Sequence, residues 1–599
     1  MRKIMPLLAA LVLLACQSKS SLRQEVQAFL DDYTQTFQKL YYKASLAEWK
    51  ANTMIIEGDT TIEAASRRAQ EALARFTGSI ENIEKARKYL KQADQLAPLQ
   101  VKQLKAILYM AADKPQTVPQ IVKERIAAET QQTKTLFGFD FKIDGRSVST
   151  NDIDRILTES SDLTERLKAW EASKEVGKAL KPGLVRLQKL RNETVRALDY
   201  PDYFTYQVSD YGMSTEEMLA LMRKLNRELY PLYRELHTYA RYELARKYGV
   251  SKVPDLIPAH WLPNRWGQDW SALVKVKGYD LDGVLKQKSA EWIVKQAERF
   301  YISVGFPPLP QSFWEKSSLY PLPPDAGYKK NNHASAWHLD LDKDVRSLMS
   351  VVPNTEWYET THHELGHIYY YISYSRPEVP ILLREGANRA FHEAMGSLLG
   401  LAAMQKPFLV HLNLVPADTK VDEMQSLLKE ALNYVVFIPW SAGVMTEFEY
   451  ELYTNELPPD QFNRKWWELK EKYQGNAPPE PRGETFCDAA SKTHINNDAA
   501  QYYDYALSYV ILFQLHDYIA RQILHQDPHA TNYYGNKAVG DFLRSIMEVG
   551  RTRDWRELIR EVTGEDISAR AMLDYFEPLL NYLKEKNKGR RYTLPPLAD

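Results

Sequence analysis

His363, Glu364 and His367 stand in an HExxH run, and Glu393 follows 26 residues after the second histidine, in Phe391-His392-Glu393-Ala394. Residues four apart on a helix share a face, so the two imidazoles can converge on one ion while Glu364, one step round, lies beside that ion's water. This is the outline of a catalytic zinc site. Catalytic zinc takes three protein ligands and leaves the fourth position to water, so one more ligand must come from elsewhere. Two carboxylates compete for the position. Glu385 lies in Arg384-Glu385-Gly386-Ala387-Asn388, which reads as a loop. Glu393 lies beyond Asn388, which reads as the N-cap of a helix burying Phe391, Met395, Leu398 and Ala402, and a rigid element suits a ligand better. The expectation is one zinc ion per chain, held by His363, His367 and Glu393, with Glu364 as the base.

The elements around these residues read as helical almost throughout. Tyr358, Leu365, Tyr369 and Ile372 recur near the 3.6 period through the HExxH run. One convincing strand signal precedes it: Ala336, His338 and Asp340 alternate with Trp337, Leu339 and Leu341, and residues 345–352 can return after an Asp342-Lys343-Asp344 turn. Nearer the start, Leu22, Val26, Phe29, Tyr33, Phe37 and Leu40 mark a long amphipathic helix. Helices over about 60–77 and 80–113 carry charge on their outer faces, either as a cover over a cleft or as plain solvated helices. Residues 151–248 read as helices broken near Pro182 and Pro201, and the proline-rich stretch 306–324 as a loop. From 356 onward the chain is again helical, ending with Leu573, Phe576, Leu579, Leu580 and Leu583 on one face. No Gly/Ser linker or internal repeat divides the 599 residues, which favours one large, mainly α body with two lobes over several domains.

Lys plus Arg number 77 against 78 for Asp plus Glu, so nucleic acid is not an expected partner. The 37 Tyr and 13 Trp read as packing residues of a big helical protein. At the start, Arg2 and Lys3 precede an apolar run over 4–14 that is too short to span a bilayer. Leu13-Leu14-Ala15-Cys16 resembles a bacterial lipobox, with cleavage before Cys16 and lipid on its sulfur. The expected organisation is a lipoprotein signal peptide over 1–15, a polar tether over 16–23 and a single domain over 24–599. The expected location is the bacterial cell envelope, on a periplasmic or outer-membrane face. With Cys16 lipidated, Cys487 has no disulfide partner and reads as a small buried apolar residue.

Several runs together resemble the angiotensin-converting enzyme family of peptidyl-dipeptidases. They are His362-His363-Glu364-Leu365-Gly366-His367-Ile368, Gly386-Ala387-Asn388 and Phe391-His392-Glu393-Ala394-Met395-Gly396, with Ala47-Glu48-Trp49, Asn264-Arg265-Trp266-Gly267-Gln268, His333-Ala334-Ser335-Ala336-Trp337, Tyr473-Gln474-Gly475 and Leu573-Asp574-Tyr575-Phe576. The resemblance covers roughly residues 24–585. It implies a large helical two-lobed zincin with a deep, lidded central channel and one small β hairpin beside the zinc. It also implies oligopeptide substrates, His363, His367 and Glu393 as zinc ligands, and Glu364 as general base. Tyr505 and His494 would stabilise the oxyanion, with Tyr503 as the alternative tyrosine. His333, Ala334 and Ala336 would pair with extended substrate by strand addition. Gln268, Lys492 and Tyr502 would grip the substrate's C-terminal carboxylate at a fixed distance from zinc, so that a dipeptide is released. In the family's carboxypeptidase branch an arginine replaces that glutamine.

The chain departs from the family at several positions. Ser397 stands where an aspartate usually orients the first zinc histidine, a change of the kind that costs ~10- to 100-fold in metal affinity or activity unless another carboxylate substitutes. Asp504 replaces a chloride-binding arginine of animal members, so chloride activation through that position is not expected. Asn332 stands where a disulfide cysteine would be, and two extra residues fall in the loop over 375–383. The alternatives to a peptidyl-dipeptidase are a broader oligopeptidase or carboxypeptidase on the same zinc core, and a metal-poor peptide-binding protein.

Overall fold

The computed structural model describes residues 5–56 and 58–597, with side chains from Ser20 onward. The expected signal peptide and the Cys16 thiol therefore lie outside the described side chains. Among the described residues, no helix is long and apolar enough to cross a membrane.

The fold is mainly helical and its apolar interior divides unevenly. The long first helix, α1 (Met5–Thr53), buries Val26, Leu30, Tyr33 and Phe37 along one stripe. With α2 (Thr61–Thr77), α3 (Ile80–Leu90) and α4 (Pro98–Asp113) it encloses a small core of its own, which includes Tyr89, Leu104 and Ile107. The remaining helices share one much larger core. The helical run expected over 80–113 is interrupted after Leu90. Pro98 opens α4, where its missing N–H costs nothing, whereas inside a continuous helix it would break the ladder.

Elsewhere a proline does not interrupt. The break expected near Pro182 is absent, because one helix runs from Leu163 to Arg196. The inner face of this helix holds it in place: Leu180, Leu184 and Leu187 are buried, and Gln132, on α5 (Pro119–Phe137), donates from Nε2 to the Leu180 carbonyl at 3.0 Å. The break near Pro201 is present, between Arg196 and Tyr203. The proline-rich stretch also holds a short helix, Gln311–Lys316.

Among the described residues, three short two-stranded ladders occur rather than one hairpin. β1 (Phe141–Ile143) and β2 (Arg146–Val148) are antiparallel about Asp144 and Gly145, whose φ angles of 50° and 77° match the left-handed turn that an Asp-Gly pair favours. β3 (Ile257–Pro258) pairs in parallel with the later β6 (Asn476–Ala477). The expected hairpin joins β4 (Ser335–His338) to β5 (Val345–Leu348), with Ser335 opposite Leu348. Its turn is organised by Asp340, whose Oδ1 accepts the N–H groups of Asp342, Lys343 and Asp344, each at 2.9 Å.

Candidate metal centre and substrate channel

Two helices bring the candidate ligands together. The HExxH helix spans Thr355–Tyr374 and is capped by Asn354, whose side chain accepts from Trp357 N–H. The Glu393 helix spans Arg389–Met404, and Asn388 caps it as expected, accepting from Phe391 N–H at 3.0 Å. Glycines let the two axes approach. A Cβ on Gly366 would lie 2.9 Å from Gly396 Cα, and one on Gly396 would lie 2.9 Å from the His363 ring. Phe391, Met395, Leu398 and Ala402 are buried beneath this contact.

His363, His367 and Glu393 form a group whose ligand atoms all lie within 4.8 Å of one another. The two Nε2 atoms are 3.1 Å apart, and His363 Nε2 is 3.9 Å from Glu393 Oε2. Tetrahedral zinc with bonds near 2.1 Å separates its ligand atoms by about 3.4 Å, so spacing and donor chemistry both fit that ion. Glu385 is excluded from the group: it lines the same cavity, but its carboxylate accepts from Arg551 Nη1 at 2.9 Å. Burial holds the His363 imidazole near pH 4, with the neighbouring His367 adding to the effect, so its neutral, metal-binding form prevails at pH 7. Burial pushes Glu364 up to about 8, with the charge of Glu393 adding to it, and one of its oxygens has no hydrogen-bond partner.

The outer partners of the two imidazoles differ. His367 Nδ1 lies 3.1 Å from His392 Nδ1, so with His367 Nε2 on a metal its Nδ1–H can donate to His392. Among the described residues no hydrogen bond joins Ser397 to His363. Ser397 and Glu359 instead line a second cavity beside His363. His392 escaped the sequence reading although it adjoins Glu393, because only the crossing of the helices turns it toward His367.

The group opens on a cavity of about 1050 Å³. Its roof comprises Phe37, Tyr41, Gln70, Leu73 and Met110, so the charged helices expected over 60–113 do cover a cleft. Tyr505 and His494 line it, with His494 Nε2 3.3 Å from Tyr505 Oη. Tyr503 does not line it: it is buried against Phe204 and Tyr211. Burial pushes the Tyr505 hydroxyl up to about 12, which keeps its proton available for donation. Arg389 stands behind this pair. It forms a two-bonded pair with Asp498 at 3.0 and 2.7 Å, lies 3.1 Å from Asp504, and has its guanidinium 5.9 Å from the Tyr505 ring centre. Asp504, which replaces the family's arginine, is fully buried and also accepts from Tyr211 at 2.5 Å.

Gln268, Lys492 and Tyr502 meet on the same cavity. Lys492 Nζ donates to Gln268 Oε1 at 2.7 Å and lies 5.4 Å from the Tyr502 ring centre. Burial pulls Lys492 down to about 7, helped by the charge of Arg265. His333, Ala334 and Ala336 line the cavity from the β4 segment. The Ala336 carbonyl is not free, because Tyr371 on the HExxH helix donates to it at 3.3 Å. Asn332 accepts from Ser350 at 3.3 Å, a hydrogen bond tying the approach to β4 to the segment after β5.

Two imidazoles one helical turn apart, a glutamate from a second helix and a further glutamate beside them form a candidate HExxH metal site whose third candidate ligand is a glutamate. A family model described as angiotensin-converting enzyme matches residues 20–594, and the chain belongs to that family. It is 30% identical to angiotensin-converting enzyme of Oryctolagus cuniculus over 588 residues, covering 94% of this chain and 43% of that protein. Against angiotensin-converting enzyme of Mesocricetus auratus it is 30% identical over 591 residues, covering 95% and 44%. Against angiotensin-converting enzyme of Mus musculus it is 33% identical over 474 residues, covering 75% and 35%. The chain thus spans less than half the length of these relatives.

Proposed function

We propose that this chain is a zinc-dependent peptidyl-dipeptidase that removes dipeptides from the free C-termini of oligopeptides. The observation that carries this reading is that the metal group and the Lys492–Gln268 pair face one cavity. A carboxylate held by Lys492, Gln268 and Tyr502 fixes the substrate's end, and the distance from there to Glu364 then sets which bond is cut. His363, His367 and Glu393 would hold zinc, which when bound would supply a Lewis acid and a water of lowered pKa. Glu364, beside the metal group, would take a proton from the attacking water and return it to the leaving amine. Tyr505 and His494 donate hydrogen bonds to the oxygen that gains charge as the carbonyl is attacked, and Arg389 holds Tyr505 from behind. The β4 edge aligns the extended peptide.

The lipobox-like run ending at Cys16 supports attachment to a bacterial envelope membrane through lipid, with the domain from about residue 24 outside the cytoplasm. The Asp504 carboxyl already sits 3.1 Å from Arg389, which supports independence from chloride at that position.

The test uses a soluble form starting near Ser21 and peptides with free or amidated C-termini, with products read by mass spectrometry. Dipeptides from free ends only, lost on chelation and in Glu364→Gln, is the expected result. Cleavage of amidated peptides would favour a broader oligopeptidase, release of single residues a carboxypeptidase, and no cleavage with zinc far below one per chain a peptide-binding protein.

A further inference from the structure

The run that leads into the β4 edge lies almost entirely outside the core. Lys329, Asn331, Asn332 and His333 are exposed, and the one buried side chain among them is Lys330, at 6% exposure. Its ammonium lies within hydrogen-bond reach of four oxygens: Ser318 Oγ at 3.0 Å, the Ser318 carbonyl at 3.4 Å, the Tyr320 carbonyl at 2.6 Å and the Met349 carbonyl. None of these is a carboxylate. Burial pulls the amine down to about 8, so at pH 7 it is mostly protonated and each of its three N–H groups has a partner.

The four oxygens belong to the β5 side of the hairpin. Ser318 N–H donates to the Ser347 carbonyl at 3.0 Å and Met349 N–H to the Ser318 carbonyl at 2.7 Å, so Ser318 lies alongside β5. The same run is also tied to the roof. Lys329 and Ile55 exchange two backbone hydrogen bonds, at 2.7 and 2.8 Å, and Asn331 N–H donates to the Asn52 carbonyl at 2.8 Å, all at the end of α1. Apart from the 3.3 Å hydrogen bond between Ser350 and Asn332, Lys330 makes the only polar ties of residues 329–333 to the β5 side among the described residues. It decides whether the run follows the hairpin or the roof.

What the run delivers is Ala334. That residue lines the channel, and among the described residues its N–H and C=O make no hydrogen bond, whereas the Ala336 carbonyl is occupied by Tyr371. Ala334 is therefore the part of the edge open to an extended peptide. An ammonium buried without a counter-ion is held at a cost. Its folded pKa lies below the unfolded one, so the penalty is present at neutral pH and fades as pH rises through 8 toward the ordinary lysine range. A side chain kept at that cost, with every N–H directed at a different segment, serves geometry more than stability.

We propose that Lys330 is a positioning residue for peptide binding: it fastens residues 329–333 to the β5 side, so that the free Ala334 backbone stands at a fixed distance from the metal group and pairs with the substrate. This rests on the dipeptidase reading above.

The test compares the native protein with Lys330→Met on a free-ended peptide and on analogues of it, each carrying one N-methyl group on a backbone amide N-terminal to the cleaved bond. In the native protein one methylated position should lower kcat/KM by about 10-fold, the size of one lost hydrogen bond. Lys330→Met should raise KM for the unmethylated peptide by about 10-fold, with kcat within about 3-fold and one zinc per chain, and methylation at that position should then matter by less than about 2-fold. Losses that multiply, a native KM in Lys330→Met, or no sensitive position in the native protein would each overturn the proposal. Lys330→Arg keeps the charge, but a planar fork cannot meet oxygens spread around an ammonium, so it should show the same pattern more weakly. Should the methionine variant not fold, a native KM in the arginine variant would overturn the proposal in its place. If the unmethylated peptide yields no dipeptide from the native protein, the dipeptidase reading itself fails, a result distinct from losses that multiply.

Discussion

The floor and the roof of the channel are built differently. The floor is the crossing of the HExxH and Glu393 helices, where Gly366 and Gly396 remove every side chain that would hold the axes apart, over the molecule's large shared core. The roof, α1 to α4, encloses a smaller separate core and meets the hairpin side through a small apolar cluster of Trp49, Leu339 and Leu348, with the Trp49 and Trp337 rings 5.5 Å apart, and through separate polar contacts. These include Gln38 Nε2 to the Asp340 carbonyl at 2.8 Å, Tyr42 to Asp344 at 3.0 Å, and the paired backbone bonds between Ile55 and Lys329. Reacting groups need positions fixed to a fraction of an ångström, and dense packing provides that. Helices over an entrance need only exclude water, and a small independent core suffices.

That contrast can be broken by substitution. The largest effect is expected at the base: Glu364→Gln lowers kcat by ~10²- to 10⁴-fold with zinc content unchanged, measured by steady-state rates and metal analysis. Gly396→Ala comes next, because the added methyl would meet the His363 ring at 2.9 Å. Zinc affinity should fall ~10- to 100-fold in chelator competition while the helix content by circular dichroism stays native. Tyr505→Phe should cost ~10²-fold in kcat with little change in KM, whereas Tyr503→Phe, outside the channel, should leave rates within a few-fold.

A smaller effect should come from pH. Burial lowers Lys492 to about 7, so in the free enzyme its ammonium is present below that value and lost above it. KM for peptides with a free C-terminus should therefore rise as pH increases through 7, with kcat less affected because a bound carboxylate restores the proton. A flat KM from pH 6 to 8.5 would argue against Lys492 as the grip. The smallest change belongs to the roof: Gln38→Ala removes one polar tie and should shift kcat/KM by less than about 3-fold.

The metal group was legible in the sequence because its information is local. A four-residue spacing on a helix and an Asn388 cap before Glu393 need no tertiary knowledge. Tyr505 over Tyr503 was not decidable that way, since both lie in the first turn of one helix and only the packing shows which faces the channel. His392 against His367, Arg389 between Asp498 and Asp504, and the open pocket at Glu359 are contacts across elements, to which periodicity is blind. The β1–β2 hairpin had a readable signal, the Asp144-Gly145 pair, but strands of three residues carry too little alternation to stand out. Pro182 misled because the helix continues through it, held by the buried Leu180, Leu184 and Leu187 on its inner face.

The most direct test of the account is anomalous diffraction from crystals at the zinc absorption edge. One strong peak about 2.1 Å from His363 Nε2, His367 Nε2 and a Glu393 oxygen is predicted. A peak bound through Glu385 instead, or an active crystal with no peak between the two helices, would contradict it.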